Sequence, residues 1–318
     1  MTGNKKKEKK MNKAFPFSDP DQKIYFIAEI GSNHNQDSQR LRHLINAAKN
    51  TGFDAIKLQY YKAEKLWAPE FPERIAAAKK GELSLQMLSD AEYWSAYKKI
   101  GCGCSVFHKE DVKDVQQYVD FLKVASFECM RFDLIEECHK YNKPLFVSTG
   151  MCDRNEVYSL LRHFDQQQDA VFHCISEYPT SAEKARIDIL KAIVQMLSYT
   201  AIKIGYSDHT KSRGAILAAI NAGANIIEMH FDLDDGEGAE TSLGHCWRSH
   251  EAKELITDAR EMKNCDLSLN WMNDFSGRED RKNVGLRSDS DGMRPLKSER
   301  SKNNETDQQI HDGDKSDS

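Results

Sequence analysis

The sequence predicts an α/β fold closed into a (β/α)8 TIM barrel, with disordered polar tails at both ends. Three observations carry that prediction. Eight short apolar, β-branched runs begin at residues 24, 54, 101, 121, 144, 170, 201 and 225. Each is too short for a core helix and reads as a strand covered on both faces. The stretches between them carry helical periodicity, and eight strand–helix units in 318 residues favour closure over an open doubly wound sheet. No G-x-G-x-x-G run follows the first strand, which argues against a dinucleotide-binding sheet.

Taken in order, residues 1–19 form a basic tail, with Lys5, Lys6, Lys7, Lys9, Lys10 and Lys13 and no apolar signal core. The barrel domain is expected over 20–270. Its first strand is Ile24–Ile30, and the helix Ser38–Asn50 places Leu41, Leu44, Ile45 and Ala48 on one face. The strand Asp54–Gln59 leads into an insertion, read as a loop over Tyr60–Phe71 and helices over Pro72–Lys80 and Asp90–Lys99. Strands Gly101–Phe107 (packing Cys102 and Cys104), Phe121–Val124, Pro144–Ser148 and Ala170–Cys174 follow. Helix Ala182–Leu197, with Ile189, Ile193 and Leu197 on one face, precedes strand Ala201–Gly205. Helix Gly214–Ala222, strand Asn225–Met229 and helix Ser249–Met262, capped by Ser249, complete the set. The polar composition of 271–318 marks an arm and tail, disordered after about 298, because so little apolar surface cannot offset the entropy of ordering.

Composition narrows the function. With 39% hydrophobic and 30% charged residues, the chain can fill a sizeable core. Its 45 basic and 50 acidic residues, a net charge of -5, argue against a dedicated nucleic-acid binder. Eight cysteines without a second pair at zinc-finger spacing suit a reducing, cytoplasmic setting rather than a disulfide scaffold. No apolar run reaches the length of a membrane span.

In such a barrel, polar residues at the C-terminal ends of successive strands converge on one mouth. Here these are Glu29 and Ser32-Asn33-His34, Lys57 and Gln59, Lys123, Ser126 and Glu128, Ser148-Thr149-Gly150, His173-Cys174, Ser207-Asp208-His209, and Glu228-Met229-His230. Lys57 and Lys123 lie inside apolar strands, where a lone ammonium is costly. They read either as internal salt bridges with Glu29 and Glu128 or, preferably, as the recognition site of a phosphate or carboxylate. Ser126, Ser148 and Thr149 are nearby donors. His209 and His230 end adjacent strands about 4.8 Å apart and can meet at one divalent ion with open positions, or serve as hydrogen-bonding core residues. Asp208 or Glu228 then acts as third ligand or, preferably, as an orienting neighbour. His34 reads as mouth lining or loop cap and His173 as a core hydrogen-bonder; nothing orients Cys174 or Cys246 as a nucleophile.

The blocks Phe26-Ile-Ala-Glu-Ile-Gly-Ser-Asn-His34, Phe53-Asp-Ala-Ile-Lys-Leu-Gln59, Phe121-Leu-Lys-Val-Ala-Ser126, Ser148-Thr-Gly-Met151, His173-Cys174 with Tyr178-Pro-Thr180, Gly205-Tyr-Ser-Asp-His-Thr210 and Ile227-Glu-Met-His-Phe231 occur in order at successive strands. Together they closely resemble the N-acetylneuraminate (sialic acid) synthase family over its catalytic barrel. The resemblance implies condensation of phosphoenolpyruvate with the open-chain aldehyde of an N-acylated hexosamine, giving a nine-carbon 2-keto acid and phosphate. It implies that Lys57 and Lys123 hold phosphoenolpyruvate, with Ser126 and Ser148 as further donors and Gln59 and Tyr178 lining the substrate pocket. His209 and His230 match the family's ligands to a divalent metal, Mn2+ or Mg2+. Glu29 would bind the sugar or assist proton transfer, and Glu128 matches a second active-site carboxylate. Glu29, Glu128 and Asp208 all stand as candidates to deprotonate the attacking water. The family is typically dimeric, so a barrel-mediated homodimer is expected.

Three departures qualify the resemblance. The residues after 270 leave no room for the family's C-terminal antifreeze-like domain, which supplies an arginine to the partner's sugar site; Arg287 or Arg294 on a folded-back arm is a candidate replacement. The loop Asp234-Asp-Gly-Glu-Gly-Ala-Glu-Thr-Ser-Leu-Gly-His-Cys-Trp247 lacks the family's Gly-Pro-Asp-His run, with Glu237 or Glu240 as stand-ins. Ser176 stands where the family pattern carries asparagine. The sugar half is therefore altered, which suggests a changed acceptor in bacterial surface polysaccharide synthesis. A related barrel using a phosphorylated sugar, a metal-dependent aldolase, and a non-catalytic carbohydrate-binding barrel are the alternatives.

Overall fold

The computed structural model describes residues 24–164 and 168–262. Eight parallel strands pair in chain order: β1 (Tyr25–Glu29), β2 (Ala55–Tyr60), β3 (Gly101–Val106), β4 (Phe121–Val124), β5 (Leu145–Ser148), β6 (Ala170–His173), β7 (Lys203–Asp208) and β8 (Ile226–Asp232). Strand β8 returns to pair with β1, with Glu29 opposite His230, and the sheet closes into an eight-stranded α/β barrel.

Helices α1 (Ser38–Thr51), α5 (Lys109–Val115), α6 (Phe132–His139), α7 (Arg154–Leu161), α8 (Ile187–Met196), α9 (Arg213–Asn221) and α10 (Ser249–Glu261) are among those that follow the strands. The insertion after β2 holds α2 (Ala63–Leu66), α3 (Pro72–Lys79) and α4 (Leu85–Lys98).

The two-residue period of a strand decides what the barrel contains. One set of positions, Phe26, Ala28, Ile56, Leu58, Cys102, Cys104, Leu122, Val124, Leu145 and Val147, joins Leu41, Leu44, Ile45, Ala48 and Leu255 of the helices in the main core. The alternate positions, Tyr25, Ile27, Ala55, Phe121, Phe146, Ala170, Phe172 and Ile226, form a second apolar cluster inside the barrel. There the rings of Phe121 and Phe146 stack at 4.6 Å, and Gly103 leaves them room, since a Cβ on it would lie 2.1 Å from the Phe121 ring. Two residues further along the same phase come Glu29, Lys57, Ser105, Lys123, Ser148, Ser207 and Glu228. The barrel is thus filled apolar below and charged above.

Several boundaries differ from the sequence expectation. Strand β7 runs to Asp208 and β8 to Asp232, past the apolar runs at 201–205 and 225–229, because their polar residues stay in the sheet and point to partners inside it. The helix expected over Ala182–Leu197 is interrupted: a 3-10 turn spans Ala182–Ala185, and Arg186 takes a left-handed conformation (φ 48°) before α8. His173 donates to the Ala185 carbonyl at 2.9 Å and holds that turn, as its expected core role requires. Helix α4 starts at Leu85 rather than Asp90, since the Ser84 hydroxyl accepts from the Met87 N–H. The expected loop 60–71 contains α2. Ser249 is the first residue of α10, not its cap; Arg248 precedes it and donates its N–H to the Glu251 carboxylate. A further strand, β9 (Trp247–Arg248), pairs with Phe231 and Asp232 of β8. Among the described residues no helix is long and apolar enough to cross a membrane. The tails, Arg287 and Arg294 lie outside the described residues.

Candidate active site

Four charged side chains meet inside the upper barrel. Lys57 pairs with Glu29 and donates to Ser105 Oγ at 2.8 Å, while Lys123 donates to Glu228 Oε2 at 3.0 Å and stands 4.3 Å from the centre of the Phe172 ring. Glu228 also lies 3.8 Å from Lys57 and accepts from the Ser207 hydroxyl at 3.0 Å. Gln59 donates to Glu29 at 2.8 Å. The lysines therefore are salt-bridged, with Glu228 taking the place expected for Glu128, which is buried in the turn Ser126–Glu128 after β4.

Burial and charge separate the two carboxylates. Burial raises the Glu29 carboxyl despite the neighbouring Lys57 ammonium. Burial also works against ionised Glu228, but Lys123 and Lys57 outweigh it and hold the group at about 2. Lys123 is lowered, chiefly by burial, so an arriving anion would favour its charged form. Lys57 is raised, because Glu228 and Glu29 overcome the same desolvation.

Beside this quartet the ends of β4, β5 and β6 form a small polar cradle. Ser126 Oγ lies 3.0 Å from Cys174 Sγ, and Ser176 Oγ is buried with no hydrogen-bond partner among the described residues. A Cβ on Gly150 would lie 2.4 Å from Ser176 Oγ, 2.7 Å from Ser126 Oγ and 2.9 Å from Cys174 Sγ. Ser148 is buried one turn of the pleat away. Hydroxyls gathered around a residue without a side chain suit a compact anion. Gly150→Ala is therefore expected to raise the KM for an anionic substrate at least tenfold and, by crowding these buried atoms, to lower Tm by about a few degrees, read by paired kinetic and melting measurements.

At the rim His209 and His230 have ring centres 5.5 Å apart. His209 Nδ1 donates to the Ile175 carbonyl at 2.6 Å, which leaves Nε2, 3.5 Å from Ser207 Oγ, as the ring's acceptor. His230 Nδ1 lies 2.7 Å from Glu240 Oε2. Burial opposes the charged form of His230, but the hydrogen bond and charge of Glu240 outweigh it and raise the group. Glu240 in turn sits at about 2: burial works against its charge, and the bond to His230 prevails. Burial keeps His209 well below the ordinary imidazole range and His245 at about 3, so both are neutral and able to offer a lone pair. Tyr178 covers these rings, 4.0 Å from His209, 5.8 Å from His230 and 5.4 Å from His245, and is itself 42% exposed.

The loop after β8 reaches this place through contacts distant in sequence. Glu240 accepts from Ser32 N–H at 2.6 Å, and its own N–H donates to Asn33 Oδ1 at 2.8 Å. Gly31, at φ +51°, permits the approach, since a Cβ there would lie 2.2 Å from Glu240 Oε1. Arg40 braces both loops, donating to the Asn33 carbonyl at 2.7 Å and to Asp232 and Asp235. Of the two stand-in carboxylates, Glu240 enters the site and Glu237 is exposed.

Asp208 is buried, but Tyr206, Thr210, Lys211 and Trp247 all donate to its oxygens, which makes it the anchor of the β7 loop. His34 plays the loop role, its Nδ1 accepting from Gln36 N–H at 3.0 Å. Ser105 and His245 were absent from the sequence expectation of the site, and Ser207 was placed at the mouth without a role. Ser105 was legible in the inward phase of β3; His245, in a long polar loop, carried no periodic signal.

Comparison with known proteins identifies a family and relatives for this chain. A sequence model of the NeuB family matches residues 44–268. The pseudaminic acid synthase of Campylobacter jejuni is 32% identical over 239 residues, covering 70% of this chain and 69% of that one. The N,N'-diacetyllegionaminic acid synthase of the same species is 30% identical over 264 residues, 76% of this chain and 77% of its own. Among solved structures, the N-acetylneuraminic acid synthetase of Leptospira borgpetersenii, in complex with citrate, superposes with a TM-score of 0.70 at 25% identity over 78% of this chain and 87% of that one. A truncated 3-deoxy-D-arabino-heptulosonate 7-phosphate synthase from Thermotoga maritima, at 14% identity and a TM-score of 0.59 over 77% of this chain and 88% of that one, shares the fold.

Proposed function

The chain belongs to the NeuB family, and from that premise we propose that it condenses phosphoenolpyruvate with the open-chain aldehyde of an N-acylated hexosamine or similar aldose, releasing phosphate and a sialic-acid-like 2-keto acid. The observation that carries the reading is that two buried ammonium groups, Lys57 and Lys123, share one mouth with two imidazoles whose Nδ1 atoms are engaged by the Ile175 carbonyl and Glu240.

Lys123 and Lys57 oppose the charge of the phosphate and carboxylate, and the Ser126, Ser148 and Ser176 hydroxyls around Gly150 add donors. His209 and His230 would hold a divalent ion, Mn2+ or Mg2+ by family pattern, which would supply Lewis acidity toward the aldehyde oxygen. Tyr178 walls the acceptor side. The phosphoenolpyruvate methylene attacks the aldehyde carbon, and water adds at C2. The resulting phosphate hemiketal collapses with C–O cleavage to the keto acid and phosphate. Glu29 takes the proton of that water; it is raised by burial, whereas Glu228 is held low between lysines and Asp208 is engaged by four donors. Orientation in one closed mouth makes the attack effectively intramolecular.

The test is a panel of unphosphorylated and phosphorylated aldoses with phosphoenolpyruvate and Mn2+, read by phosphate release and product mass. Release that requires an unphosphorylated N-acylated hexosamine, with a product of the mass of both substrates plus water less phosphoric acid, is expected. Release without any aldose, or with sugar phosphates alone, contradicts the proposal.

A further inference from the structure

His245 is buried, 1% exposed, yet neither of its ring nitrogens has a hydrogen-bond partner among the described residues. A buried imidazole ordinarily satisfies at least one nitrogen, and leaving both without partners is costly unless a ligand completes them. The ring lies 4.4 Å from that of His230, at 73°, and His209 stands 5.5 Å from His230. Imidazoles sharing an ion through bonds of about 2.1 Å have ring centres about 5 Å apart; the two separations bracket that value, so His230 can share an ion with either neighbour. Ligand atoms of His230, Glu240, His245 and Cys246 all fall within 4.8 Å of one another. Within that group the roles are distinct. Glu240 is already bonded to His230 Nδ1, the position of a carboxylate that orients a ligating histidine, and it lies 3.9 Å from His245 Nε2. Cys246 Sγ accepts from the Asn33 amide at 3.5 Å.

Resting on the reading of this mouth as a metal-dependent synthase site, we propose that His245 is a third imidazole ligand beside His209 and His230, with Glu240 as the positioning carboxylate. A three-imidazole set favours borderline transition ions such as Co2+, Zn2+ or Fe2+ over Mg2+, whose preference is for oxygen ligands and water. The departure of the β8 loop from the family pattern thus has a chemical consequence: the loop adds a nitrogen donor and its orienting carboxylate to the ion site.

The experiment uses Co2+ alone as the probe, on the full chain. X-ray absorption of the Co2+-loaded wild type is expected to count three imidazoles, and Zn2+ near stoichiometry should displace the ion while a thousandfold excess of Mg2+ does not. His245→Ala should weaken Co2+ binding tenfold to a hundredfold and change its visible spectrum, leaving phosphoenolpyruvate binding unchanged. His245→Gln, of similar volume, repeats the measurement if the alanine variant does not fold. Two imidazoles in the wild type, or an unchanged spectrum and affinity in the variant, overturn the proposal. Three imidazoles together with no phosphate release from any aldose would leave the ion site standing and overturn the synthase reading instead.

Discussion

Replacing His209 with alanine is expected to lower kcat/KM for phosphate release by roughly a thousandfold or more, since losing a ligand removes several kcal/mol of charge stabilisation from the aldehyde oxygen. The fold should survive. The His209 ring makes one firm bond, to the Ile175 carbonyl, and forms no part of the lysine–carboxylate quartet. Phosphoenolpyruvate binding should persist, because its anionic groups are assigned in the proposal to Lys57, Lys123 and the Gly150 cradle rather than to His209. The measurement is steady-state phosphate release at saturating Mn2+, beside calorimetric titration of phosphoenolpyruvate into the variant. A carbohydrate-binding barrel without catalysis would tolerate the change.

Glu228→Ala has the largest expected effect on stability. It leaves the Lys123 ammonium buried without its counter-ion and removes a second carboxylate from Lys57. Breaking such a pair from one side costs about 3–5 kcal/mol, and Tm in a domain of this size falls by on the order of 10 °C. The double variant Lys123→Met/Glu228→Leu replaces the pair by apolar groups and should recover most of that loss while releasing no phosphate. The pH dependence has a definite sign. Glu228 is held at about 2 against an ordinary 4.5, so its stabilising contribution is full above pH 4.5 and is lost as pH falls toward 2. Thermal melts from pH 7 to pH 3 should therefore show a steeper acid loss in the wild type than in the double variant.

The barrel was legible because its strands are short, apolar and evenly separated by helical periods. The charged layer was only partly so. Lys57 and Lys123 stand out between aliphatic neighbours, yet the partner of Lys123 is Glu228, across the barrel and 105 residues away, rather than Glu128, four residues past the end of its own strand. Following the inward phase of each strand finds Ser105, Ser207 and Glu228 without further information. The β8 loop is different. Glu237 and Glu240 are alike in local sequence; what selects Glu240 is its meeting with Ser32, Asn33 and Gly31, about 200 positions earlier. Likewise the break at Arg186 follows from a histidine of β6 reaching the Ala185 carbonyl, a contact no helical periodicity encodes.

The most direct measurement is a crystal structure of the chain grown with Mn2+ and phosphoenolpyruvate. The anomalous peak should fall within bonding distance of His209 Nε2 and His230 Nε2, with the phosphate and carboxylate of phosphoenolpyruvate against Lys57, Lys123 and the Gly150 cradle. An ion bound away from both histidines, or phosphoenolpyruvate outside the barrel mouth, would contradict the account.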